Sequence, residues 1–283
     1  MKKRLVLATS TSCLDYYPIP HDIKMIRITI FIDGKAYADG SEILANDFYK
    51  LLRENKDLLP TTSQPSVGEL IEMFNDLQKE GYEELFIVTI SKKLSGTFNA
   101  LSLAAQEFEG NMKISVYDSH NVFSTEGHYA LLADKMFKEG KTTEDIIKVL
   151  DDLRTKASIF FVCEDLNNLI KNGRLTGAKA FFGKLLKIKP VLQVIETGQI
   201  ISIDKQRTTQ KAIDAMLDAA EKFIAGRKFT LYSVYTSMEL CNRVKSAFDA
   251  RFGETECVTL PGSPVVGAHI GPYGAGIGII VEE

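Results

Sequence analysis

The chain has no tryptophan and only four cysteines, four histidines and eight prolines among its 283 residues. The cysteines stand at Cys13, Cys163, Cys241 and Cys257 and form no CxxC pair, so a structural zinc site is not expected and the thiols are read as reduced and buried. Long apolar runs are also missing. Nothing approaches the roughly 20 residues of a membrane span. The leading run, Leu5 to Ala8, is too short for the apolar core of a signal peptide and reads as a first strand, with the cytoplasm as expected compartment. The charge excess is small, a formal net charge of -3, which gives no bulk attraction to nucleic acid. GxxxxGK[ST], GxSxG, HExxH and EF-hand loops are all absent, and the glycines after Gly271 are not followed by a helix, so no dinucleotide fingerprint is present.

What remains is an ordinary globular inventory, 45% hydrophobic and 25% charged, in a length that suits about two domains. Strand-like runs alternate with amphipathic helices over the first half: Leu5–Ala8, Ile26–Ile32, a helix around Phe48 and Leu52, a helix opened by a Ser66/Glu69 capping box, then Leu85–Thr89, Phe98–Phe108, Ile114–Tyr117, Tyr129–Phe137 and Thr143–Leu153. This recurrence predicts a Rossmann-like α/β unit with a mostly parallel sheet and helices on both faces. After Ser158–Val162 the pattern changes to a hairpin around Glu196-Thr197-Gly198, helices over 209–224 and 237–252, short strands and a glycine-rich tail, which predicts an α+β unit. The expected division is 1–157 and 158–283.

Ligands of open α/β sheets sit beyond the carboxyl ends of the strands. Three loops there are dense in polar residues: Thr61–Ser66, Ser91–Thr97 and Asp118–Asn121. The first two combine hydroxyls with helix N-termini, a setting that accepts an anion, and Gly96 would let the backbone come close to it. The same hydroxyls also serve as plain helix caps, and both readings stand. Ser95 as a nucleophile would need His120, His128 or His269 as base, but no elbow motif or orienting acid accompanies it. His269, in an apolar, glycine-rich run, either satisfies a backbone group or faces a ligand. Lys179, Lys184, Lys187 and Lys189 around Phe181-Phe182 and Leu185-Leu186 form a basic amphipathic stretch, read as a solvated face, a docking patch for an acidic partner or a point of transient membrane contact.

The ordered set Thr62-Ser63-Gln64-Pro65-Ser66, Leu94-Ser95-Gly96-Thr97, Asp118-Ser119, Gly173-Arg174-Leu175 and His269-Ile270-Gly271-Pro272 resembles the DegV family of bacterial fatty-acid-binding proteins over essentially the whole chain. The resemblance implies a non-catalytic, monomeric carrier with no cofactor or metal, holding a long-chain fatty acid such as palmitate, stearate or oleate between two domains. It implies carboxylate binding by Thr62, Ser95 and His269, with Ser63, Gln64, Gly96, Thr97 and Gly271 in the surrounding loops. It also implies a fatty acid kinase as partner, which phosphorylates the presented carboxylate for phospholipid synthesis, with Arg174 as a contact. Apolar residues near the strand ends, Ile28, Ile30, Phe98, Phe160, Val266 and Ile277, are the candidates for the acyl pocket. The charge of -3 suggests that local hydroxyls, and not a global field, meet the anion, and hydroxyl donors suit a carboxylate that must stay nucleophilic better than a buried Lys would. Two departures stand out: Ser10 replaces a usual acid after the first strand, and Tyr273 interrupts Gly271-Pro272-Gly274. The competing functions are an acyl or ester hydrolase using Ser95, and a carrier of another small carboxylate.

Overall fold

The computed structural model describes residues 3–164, 166–177 and 188–282. The lysines at 179, 184 and 187, and the aromatic and leucine pairs beside them, lie outside the described residues.

The first half runs β1 (Arg4–Thr9), β2 (Lys24–Ile26), β3 (Thr29–Ile32), β4 (Lys35–Ala38), α1 (Ala45–Glu54), β5 (Thr61–Ser63), α2 (Val67–Lys79), β6 (Glu84–Thr89), α3 (Thr97–Glu107), β7 (Lys113–Asp118), α4 (Phe123–Lys138) and α5 (Thr143–Leu153). Strands β2-β1-β6-β7 form an all-parallel sheet in that order. Strand alternation splits its side chains. Leu5, Leu7, Leu85 and Ile87 pack under α2 and α3, through Leu70, Phe74, Leu101 and Ala104. Val6, Ala8, Phe86 and Val88 pack under α4 and α5, through Tyr129, Ala133, Ile146 and Leu150. With both faces buried, the strands read as continuous apolar runs rather than alternating ones. The Ser66/Glu69 capping box is formed, and Thr142 with Asp145 makes a second one at α5.

Ile26–Ile32, expected as one strand, is two. Arg27 breaks the run: its guanidinium is held by both Asp15 carboxylate oxygens and by the Asp39 carbonyl. The chain leaves β1 as its partner and joins a separate antiparallel sheet, β4-β3-β5. Asp33 and Gly34, both at positive φ, make the tight hairpin turn between β3 and β4.

The second half runs β8 (Ala157–Cys163), α6 (Asn167–Lys171), β9 (Lys189–Val194), β10 (Ile200–Gln206), α7 (Thr209–Ile224), β11 (Phe229–Tyr235), α8 (Met238–Phe252), β12 (Cys257–Pro261), α9 (Pro264–Ile270) and β13 (Gly274–Val281). Its six-stranded sheet, β10-β9-β8-β13-β11-β12, is antiparallel except for β11 and β12. Helices α7 and α8 cover one face, packing on Phe160, Val162, Leu231 and Ile277. The fold is therefore α/β, with a parallel sheet sandwiched by helices followed by a mixed sheet with helices.

Two departures from the sequence pattern bear on the site. The glycine-rich tail is β13, a fully buried strand between β8 and β11. Side chains have no room at two of its positions: a Cβ on Gly276 would lie 2.3 Å from the Phe160 carbonyl oxygen, and one on Gly278 would lie 2.6 Å from Ser124 Oγ. Helix α4 starts six residues before the expected Tyr129. Its first turn buries Ser124, Thr125 and Glu126, so no apolar period marks it. Tyr129 and Ala130 of α4 share one core with β1 and β6 on one side and with Tyr232, Leu260 and Ile280 of the mixed sheet on the other.

Candidate functional site

A cavity of about 430 Å³ lies between the face of the mixed sheet opposite α7 and α8, the loops after β1 and β6, β5 and α9. Much of its wall is apolar, supplied by Ile159, Phe161, Val194, Val234, Val266 and Ile270. Its polar lining includes Thr62, Gln64, Ser95, Gly96, Arg174 and His269, with Thr11, Ser63 and Thr236 besides.

Four separate segments bring the first six of these together: β5 and its end, the turn before α3, the loop after α6, and α9. Thr62 lies in β5, opposite Ile30 of β3. His269 lies in the last turn of α9, and its Nε2 is 3.0 Å from Thr62 Oγ1. Several contacts fix α9. Val265 N–H donates to the buried Asp39 carboxylate at 3.2 Å. Tyr49 lies flush against Gly267, where a Cβ would be 2.4 Å from its ring, and donates to the Gly262 carbonyl at 2.8 Å. Asn168 and Asn172 donate to the Ala268 carbonyl, an acceptor that the end of the helix leaves open.

Ser95 lies in the turn after β6, where the Ser91 carbonyl accepts from the N–H groups of Leu94 and Ser95. Its Oγ is 2.8 Å from Thr97 Oγ1 and accepts from Thr97 N–H, so it both caps α3 locally and lines the cavity. Arg174 reaches the same place, donating to the carbonyls of Leu94 and Asn172. A cation therefore stands beside the hydroxyls, contrary to the sequence expectation; the two segments are 80 residues apart along the chain.

Burial, and then the positive charge of Arg174, push the His269 imidazole down to about 4, so the ring is neutral at pH 7. Its Nδ1 is buried with no hydrogen-bond partner among the described residues. Deeper behind the wall, Thr11 lines the cavity and donates to Glu126 at 2.8 Å, while Thr9 donates to the other carboxylate oxygen. Burial raises the Glu126 carboxyl well above its usual range.

The arrangement is a site for an amphiphile with an anionic or strongly polar end, and it is not a hydrolytic triad. Ser95 Oγ is bonded to Thr97, whereas His269 is bonded to Thr62, His128 to Tyr232, and His120 to the Glu196 carbonyl. Among the described residues, no group of three or more His, Cys, Asp or Glu is placed to hold a metal, and no helix is long and apolar enough to cross a membrane.

Residues 3–282 match the family model described as "Uncharacterised protein, DegV family". The chain belongs to the DegV family. A DegV domain-containing protein of Listeria monocytogenes is 32% identical over 257 residues, covering 90% of each chain. Among solved structures, a fatty acid binding DegV family protein from Streptococcus agalactiae superposes with a TM-score of 0.88 at 26% identity, covering 100% of both chains. DegV of Bacillus subtilis, described as a fatty acid binding protein, superposes with a TM-score of 0.85 at 28% identity over the same coverage.

In this DegV chain the structure brings Thr62, Ser63, Gln64, Ser95, Gly96, His269 and Arg174 to the cavity, together with Ile28 and Val266. Six other candidates do not line it. Phe160 and Ile277 pair directly across β8 and β13, so both point to α7 and α8; their strand neighbours Ile159, Phe161 and Gly276 face the cavity instead. Ile30 packs on Phe48 and Tyr49 of α1. The Phe98 ring sits outside, under the Lys92 ammonium. Thr97 is buried behind Ser95, and Gly271 turns the chain out of α9 at positive φ. The Gly96 approach is made by Gln64: a Cβ there would lie 2.1 Å from its Oε1. Asp118 braces the Ser95 loop, accepting from the Lys92 and His120 N–H groups. Tyr273 is partly exposed away from the cavity, and Ser10 accepts from Ile28 N–H. The sequence reading missed Thr11, Glu126 and the wall from β9 and β10, because only the sheet pairing shows which residues face inward.

Proposed function

We propose that this protein is a non-catalytic carrier of a long-chain fatty acid that presents the carboxylate to a partner kinase in the cytoplasm. The observation that carries the reading is the cavity itself: an apolar wall together with Thr62, Ser95, His269 and Arg174 in one lining. The family relatives described as fatty-acid-binding support it. Palmitate, stearate and oleate are the ligands we expect. The volume lies in the range of small-molecule sites, roughly 300–1,000 Å³. A sixteen-carbon tail would gain roughly 10 kcal/mol gross at about 0.8 kcal/mol per buried methylene, less the costs of ordering and association.

The head group sets a condition on His269. Thr62 has one hydroxyl proton and can give it to the carboxylate only while His269 carries its own proton on Nε2 and donates to Thr62 Oγ1. A neutral ring meets this condition. Ser95 supplies a second hydroxyl and Arg174 a cation, while the two-oxygen carboxylate keeps a lone pair for attack on a phosphoryl donor. Arg174, partly exposed where it lines the site, is the contact we expect for a docked kinase. Monomeric behaviour is expected.

Denaturing extraction of the purified protein followed by mass spectrometry tests the reading. Co-purified long-chain acid, or saturable binding of added oleate, is the expected result. Absence of both would overturn it.

A further inference from the structure

The head-group cavity has a neighbour. A shallow groove on the outer surface is lined by Thr29, Phe31, Pro65 and Glu69, and two residues border both spaces, Ser63 and Gln64. The Ser63 hydroxyl is turned onto the backbone, donating to the Gln64 carbonyl at 3.2 Å. The Gln64 amide is therefore the movable part of the partition. It lies across Gly96, where an added Cβ would be 2.1 Å from Oε1, 3.0 Å from Cδ and 3.3 Å from Nε2. Gly96 is next to Ser95, so the amide covers the place where the head group would sit. Among the described residues, no hydrogen bond holds this amide in place, and the Gln64 side chain is exposed on its outer side.

We propose that Gln64 is the access-determining residue of the head-group site: its amide closes the cavity against the outer groove, and its rotation opens the ligand's polar end to that groove. The inference rests on the fatty-acid reading. The groove is the route along which a polar reagent, or the carboxylate itself, would pass, because the opposite wall is the closed sheet. Gly96 is what makes the closed position possible. Its backbone, φ -77 and ψ 0, is open to any L residue, so an alanine there is not strained and conflicts only with the Gln64 amide.

This supplies two independent ways to remove the cap, Gln64→Ala and Gly96→Ala, and a test of their coupling. The experiment follows cis-parinaric acid leaving the full-length protein for excess serum albumin, by stopped-flow fluorescence, together with its rate of uptake. Both variants are expected to speed uptake and release by roughly twofold, the scale of a few lost van der Waals contacts, with a smaller change in Kd. The double variant is expected to match Gln64→Ala alone, because Gly96→Ala acts only by displacing the amide. Wild-type rates in either variant, or a Gly96→Ala effect that persists in the Gln64→Ala background, would overturn the gate while leaving the carrier reading intact. Failure of the wild-type protein to take up the probe would overturn both.

Discussion

The parallel sheet buries both faces under helices, whereas the mixed sheet covers one face with α7 and α8 and divides the other between α4, which packs on Tyr232 and Ile280, and a cavity. The first sheet contributes to the site through the loops leaving its strands: Thr11 after β1 and Ser95 after β6. The second contributes the surface of the strands themselves: Ile159, Phe161, Val194 and Val234. Polar chemistry thus comes from loops, where backbone and hydroxyl donors are free, and apolar area comes from the part of a sheet face that α4 leaves to the cavity. On the proposed reading, the first architecture anchors a head group and the second houses a tail.

The largest test of this contrast is Phe86→Ala in the doubly covered sheet. The ring is fully buried against Tyr117 and Phe137, and its loss is expected to cost about 3–5 kcal/mol in urea unfolding while leaving ligand affinity of the folded protein unchanged. Next, Ile277→Ala and Ile159→Ala truncate the same side chain on opposite faces of the mixed sheet. Ile277→Ala is expected to cost about 2–5 kcal/mol of stability with unchanged oleate affinity; Ile159→Ala should cost less stability and weaken oleate measurably by titration. Equal effects of the two would break the contrast between the faces.

Ser95→Ala sharpens the division between head and tail. A hydrogen bond to a charged group contributes about 1.5–3 kcal/mol, so oleate affinity should fall roughly ten- to a hundredfold. Methyl oleate, which has no anion, should bind Ser95→Ala as it binds wild type, and Ile159→Ala should weaken acid and ester alike.

The smallest expected effect is in pH dependence. Burial raises the Asp39 carboxyl from 3.8 to about 7, so the folded state holds a proton that the unfolded state has lost. That stability is present below pH 3.8 and disappears as pH rises through 7. His128 and His269, pushed from 6.5 down to about 4 by burial, act in the opposite sense and lose stability as pH falls through that window. Asp39→Asn removes only the first contribution. Its stability at pH 7 minus that at pH 4.5 should exceed the wild-type difference, by on the order of 1 kcal/mol in paired urea melts. A smaller difference than wild type would place the proton elsewhere.

Most elements were legible because local rules and tertiary packing agree. Helices over Thr209–Ile224 and Thr143–Leu153, strand Phe229–Tyr235 and the Ser66/Glu69 cap stand where period and capping put them. The misses share a cause. Gly274–Val281 lacks strand-forming side chains at the positions where α4 and β8 press against it, and the first turn of α4 is polar because Glu126 accepts from the hydroxyls of Thr9 and Thr11, and Thr125 donates to Asn121. Neither signal is local. The pocket candidates divided in the same way: Ile277 and Gly276 are neighbours in sequence, but the pairing of Ile277 with Phe160 sends them to opposite faces.

The sequence by itself determined the alternation of strands and helices, the reduced thiols' lack of metal spacing and the two hydroxyl-rich loops, since these depend on spacing within about a dozen residues. Only the tertiary structure decided that Thr62 meets His269, 207 residues away, that Arg174 joins the hydroxyls, and that part of one face of the mixed sheet lines a cavity. Those outcomes depend on register and sheet order, and a strand shifted by a single residue would exchange every wall residue for its neighbour.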